Sequence, residues 1–231
     1  MRYLEWISAA LTLIILALAA KIITPMLDTA WLDPRRQKTR RAEMAIRAAS
    51  AGLGPAAETT VGVRRMTPPG KRPTMAFSGR YQGRYVAVAE YRHAPPPKRL
   101  RVRKKYTRVR HSSVVAVQLT RPHPPVQVIR RDIDPELWAP MARREPTYKD
   151  VLELDQRVFN RAFRVTTPHP DRARRLIHPA LARAMLEHDS VRAWLITETD
   201  LLGIRHERLD PHNLLPRIGA VRMVADLIDH A

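Results

Sequence analysis

The residues best suited to metal or acid–base chemistry are nine histidines: His93, His111, His123, His169, His178, His188, His206, His212 and His230. None forms HExxH or a comparable pair. His169 near Asp171 and His206 beside Glu207 come closest to an imidazole–carboxylate site, whereas a metal needs three or four converging donors. Ser78, Ser112, Ser113 and Ser190 lie outside GxSxG or another activated-serine setting. Gly79 and Gly83 bracket a turn without a phosphate-loop pattern. The chain has no cysteine, which excludes thiol nucleophiles, thiolate zinc and disulfides. The expectation is no catalytic residue, metal or cofactor, and a protein that is not an enzyme.

What the side chains offer instead is positive charge. The formal net charge is +19, a field that attracts nucleic acid, an anionic membrane surface or an acidic partner. Arginine outnumbers lysine by 34 to 7, and the chain is rich in alanine and proline, so genomic GC bias accounts for part of the excess. Two segments concentrate the charge. One holds Arg35, Arg36, Lys38, Arg40 and Arg41; the other, KRLRVRKKYTRVR, holds Lys98, Arg99, Arg101, Arg103, Lys104 and Lys105, with Tyr106 as a stacking candidate for nucleic acid. These residues are the expected anionic-surface binding site.

The element expected to position the first segment is Trp6 to Leu27, an apolar run whose only charge is Lys21. As a helix it is roughly 33 Å long at 1.5 Å per residue, enough to cross a hydrocarbon core of roughly 30 Å. Ala17, Leu18 and Ala19 also fit a signal-peptide cleavage pattern, but the weak positive start and the apolar residues beyond Lys21 favour an uncleaved anchor. The basic cluster behind the run then places the N-terminus outside, the soluble part in the cytoplasm, and the protein in the plasma membrane as a single-pass chain. Lipid contact is expected through residues 6–27, with anionic lipid gaining about 1 kcal/mol per basic residue near the surface.

Behind this anchor with its flanks (1–34), residues 35–52 read as a basic juxtamembrane helix with Ala42, Ala45, Ile46 and Ala49 on one stripe, and residues 53–74 as a flexible Gly/Pro linker. The folded domain is expected over 75–231. It opens on a hairpin of Met75–Tyr81 and Arg84–Arg92 about a Gln82–Gly83 turn. Strands follow near Val115–Leu119 and Val126–Ile129, then a short helix at Pro135–Arg143 and a brief strand at Val151–Leu154. A helix capped by Asp171 and broken at Pro179 comes next, then a hairpin of Val191–Thr197 and Leu201–Glu207, and a last helix bearing Leu214, Ile218, Val221, Ala225 and Ile228. The fold class expected is α+β, a transmembrane helix followed by an antiparallel sheet packed by C-terminal helices.

The segment FNRAFRV (Phe159–Val165), with Asp171, Ala173, Leu176 and Pro179 and the later LLGIRHERLD, resembles a group of actinobacterial single-pass membrane proteins of unknown function. The likeness also takes in GRYQGRYVAVAEYR and SVVAVQLTRPHPPVQV, and is similar in arrangement to the DUF3137 membrane proteins. It implies a membrane location and a domain from about Phe77 onward, and transfers no catalytic residue. The function expected is a binding or scaffolding module near the anionic inner leaflet, with anionic lipid or an acidic protein as partner. A membrane-tethered nucleic-acid binder and a membrane-bound hydrolase are the alternatives.

Overall fold

A computed structural model describes residues 33–67, 71–93, 110–133, 151–188 and 191–231. The chain divides into two compact units, Met1–Glu43 and Met44–Ala231. In the first, the described residues are the start of helix α1 (Asp33–Ser50), which continues into the second unit from Met44.

The second unit is built on one antiparallel sheet. Its strands are β1 (Leu53–Pro55), β2 (Pro73–Tyr81), β3 (Arg84–His93), β4 (Arg110–Gln118), β5 (Val126–Arg130), β6 (Val151–Leu152), β7 (Phe163–Thr166), β8 (Ala193–Ile196) and β9 (Asp200–Arg205). They lie in the order β1-β2-β3-β4-β9-β8-β5-β7-β6. The chain crosses from β4 to β5 and later inserts the closing β8–β9 hairpin between them, so AWLI and DLLGIR become central strands buried on both faces. That explains their nearly unbroken apolar runs, where an edge hairpin would alternate.

Alternation along the strands sorts the core into two layers. Val86 and Val88, Val115 and Val117, Val126 and Val128, Trp194 and Ile196, and Leu201 share the larger one. It is closed by helices α3 (Arg157–Ala162), α4 (Pro170–Leu176), α5 (Pro179–Glu187) and α6 (Leu214–Asp229), through Phe159, Leu176, Leu181, Met185, Ile218, Val221, Ala225 and Ile228. Ala87, Ala89, Tyr91, Val114, Ala116, Leu202 and Ile204 share the other face with Val63 and Met66 of helix α2 (Val61–Met66). Gly203 lets α6 sit close, because a Cβ there would lie 2.6 Å from Cγ2 of Val221.

The expected transmembrane helix ahead of an α+β domain is corrected. Among the described residues no helix is long and apolar enough to cross a membrane. Helix α1 carries eight charged residues within Asp33–Ser50, and α6 spans about 24 Å while carrying Arg217, Arg222, Asp226 and Asp229. The run at residues 6–27 lies outside the described residues. With it the single-pass plasma-membrane placement, N-terminus outside and domain cytoplasmic, loses its structural basis.

Other expectations meet specific geometry. Residues 53–74, read as a linker, contain β1 paired with β2 and α2 packed on the sheet, where a Cβ on Gly62 would meet Tyr85 at 2.6 Å. Gly62 thus serves close packing. The stripe on α1 is Met44 and Ala48 instead of Ile46, which is 70% exposed. The Gln82–Gly83 turn forms with positive φ at both residues (47° and 87°), as the tight hairpin requires. Asp171 is not the cap of α4; His169 holds that position and Asp171 pairs with Arg174 one turn on. Pro179 separates α4 from α5 and stands at the first turn of α5, capped by the His178 ring accepting from the Leu181 N–H. The short helix expected at Pro135–Arg143 lies outside the described residues.

Candidate functional site

The residues with perturbed chemistry gather on the larger core face, where the strand registers align Glu90, Ser113 and Arg205 across β3, β4 and β9. Arg217, 5% exposed, reaches from α6 to this row. Its guanidinium donates to Ser113 Oγ and to the Ser113 carbonyl, both at 2.7 Å, and Ser113 Oγ donates to the Glu207 carbonyl at 2.9 Å. Burial first, and then the neighbouring Arg205, push the Arg217 pKa down to about 9, with Glu207 opposing. The residue stays charged at neutral pH. Its Nε is buried without a hydrogen-bond partner among the described residues.

Glu90 is fully buried. Its Oε2 accepts from the Leu209 N–H at 2.8 Å, and Oε1 faces His111 Nδ1 at 3.4 Å and Thr74 Oγ1 at 3.4 Å. An imidazole beside a carboxylate can hold a proton, but a serine nucleophile needs its hydroxyl proton directed at a base. The Ser113 proton is directed at a carbonyl, so Ser113 bridges β4, α6 and the chain beyond β9. Among the described residues no three His, Asp or Glu side chains are placed to hold a metal ion.

A second cluster ties down the end of α6. Asp229 accepts from Arg84 at 2.5 Å and with both oxygens from the Thr120 N–H at 3.1 Å, while His123 Nε2 lies 3.4 Å away. Arg84 also pairs with Asp226 at 2.7 Å. Burial alone would raise the Asp229 pKa, but the hydrogen bonds from Arg84 and Thr120 outweigh it and hold the carboxyl below its ordinary value.

The FNRAFRV segment serves the fold. Phe159 and Phe163 pack ring on ring at 5.0 Å, with the Arg130 guanidinium 5.9 Å from the Phe163 centroid. Asn160 meets Leu154 twice, accepting its N–H at 3.2 Å and donating to its carbonyl at 2.5 Å.

Of the residues expected to bind an anionic surface, Arg35, Arg36, Lys38, Arg40 and Arg41 lie on α1, with Lys38 and Arg41 exposed. Lys98, Arg99, Arg101, Arg103, Lys104 and Lys105 lie outside the described residues. A third basic group escaped the sequence reading: Arg157 and Arg161 on α3, Arg172 and Arg175 on α4, and Arg183 on α5, all exposed. None of the five has a carboxylate within ion-pair distance among the described residues. The signal was there in diluted form: residues 156–188 hold seven arginines against Asp171 and Glu187, dispersed by helical spacing instead of forming a run.

No protein-family model and no curated protein sequence matches the chain. Among solved structures, the fold is similar to that titled the crystal structure of the mycobacterial trehalose monomycolate transport factor A, TtfA. The likeness has a TM-score of 0.55 at 13% identity, over 81% of this chain and 93% of that one, and at this identity it is a likeness of fold.

Proposed function

We propose that the Met44–Ala231 domain is a binding module for an anionic partner. The observation that carries this reading is the placement of its charges. The buried ionisable groups each join elements of the fold: Arg217 is bound by Ser113, Glu90 by the Leu209 N–H, Asp229 by Arg84 and Thr120, and Asp200 by Arg65 and Thr199. Arg157, Arg161, Arg172, Arg175 and Arg183, which have no carboxylate within ion-pair distance among the described residues, face solvent, where their field acts on whatever approaches. The mycobacterial neighbour is titled a transport factor, and an accessory binding role on the same fold agrees with that title.

Co-purification of the full chain across a salt series tests the reading. An anionic partner retained at low salt and released as the salt approaches about 1 M, where the screening length falls to about 3 Å, supports it. Retention that does not change with salt, or turnover of a substrate by the purified chain, contradicts it.

A further inference from the structure

Resting on that reading, we infer that the outer face of α3, α4 and α5 is the docking surface, and that its partner is an acidic protein segment. The three helices form one layer over the larger core face, and Gln156, just before α3, donates to the Ile177 carbonyl between α4 and α5 at 3.2 Å. This bond brings the start of α3, with Arg157, to the end of α4, with Arg175. Arg157 and Arg161 are one helical turn apart on one side of α3, and Arg183 stands on the exposed side of α5.

Exposed arginines without a carboxylate among the described residues, such as Arg47, Arg80 and Arg164, also occur elsewhere, but the helical layer gathers five of them on adjacent helices. Arg65, Arg72, Arg84, Arg130, Arg192, Arg205 and Arg222 each pair with a carboxylate of this chain. On the helical layer only Arg174 does, with Asp171. An unpaired guanidinium presents a planar fork of donors that matches a carboxylate in two parallel bonds.

Two features favour a protein segment over nucleic acid or lipid. Val158, 69% exposed, sits between Arg157 and the rest of α3 and offers an apolar contact within the basic face. The large hydrophobic side chains exposed among the described residues are aliphatic or methionine, so no aromatic platform for stacking bases stands beside the arginines. Asp171 and Glu187 also interrupt the face. They would repel a continuous phosphate track or a uniformly anionic bilayer, but leave room for a peptide whose acids are spaced.

Fluorescence anisotropy of the full chain with a glutamate-rich peptide, a single-stranded DNA oligonucleotide and phosphatidylglycerol vesicles tests the inference. The peptide should bind, and Arg157→Glu with Arg161→Glu and Arg183→Glu should weaken it more than about tenfold, while Lys38→Glu with Arg41→Glu leaves it unchanged. The corresponding glutamine variants, checked for an unchanged melting temperature, should weaken binding less and in the same direction. Peptide binding lost only with the Lys38 and Arg41 variants overturns this surface and leaves the binding-module reading intact. Preference for the oligonucleotide or the vesicles overturns the partner class. Binding to none of the three overturns both readings.

Discussion

Arg217 and Ser113 are joined twice, through the hydroxyl and the carbonyl of the same residue, both at 2.7 Å. The pair closes α6 onto β4 from inside the core. Ser113→Ala should destabilise the domain by about 1–3 kcal/mol, because it leaves part of a buried cation unpaired. Arg217→Met removes the charge together with its desolvation penalty and should be the milder change. Denaturant unfolding of the two single variants and the double variant should show coupling of about 0.5–3 kcal/mol; additive effects would place the stabilisation elsewhere.

Acid should loosen the other end of α6. The folded pKa of Asp229 lies below its ordinary value of 3.8, so the carboxylate contributes stability that is complete above that value and disappears as pH falls through the folded one. Asp229→Asn should therefore melt at a lower temperature at pH 7, with the gap to the parent chain narrowing below about pH 4. A gap independent of pH would assign the loss to packing.

Asn160 supplies a donor and an acceptor to the backbone of Leu154, which has no strand partner there. Asn160→Leu leaves both backbone groups unmatched and should cost about 1–3 kcal/mol in denaturant unfolding. Asp in its place keeps the acceptor and loses the donor, so it should fall between the two.

The legible parts of the fold were those written in short-range periodicity. The Gln82–Gly83 hairpin and the buried side of α6 follow directly from alternation and helical spacing. The sheet order was not legible, because placing β8 and β9 between β4 and β5 depends on long-range pairing that no local pattern encodes. The region read as a linker misled because a glycine needed for close approach looks like one needed for flexibility, and Gly62 is a packing position. The interior ionic row was hidden too. Glu90, Ser113 and Arg217 are separated by 23 and 104 residues in turn, and only strand register and the seating of α6 bring them together. As for the arginine face, a sequence scan rewards runs of charge, and helical spacing breaks this one up.

Whether the basic helical layer holds an acidic protein segment is tested most directly by photocrosslinking in living cells. A photoreactive benzoylphenylalanine replaces Val158, between Arg157 and Arg161, and in a second chain replaces the exposed Glu198 of the β8–β9 turn. The expected adduct at 158 has its crosslinked peptide within an acidic segment of another protein, is abolished by Arg157→Glu with Arg161→Glu, and is lacking at 198. An adduct to nucleic acid, or the same adduct from both positions, would contradict the docking of an acidic segment on this layer.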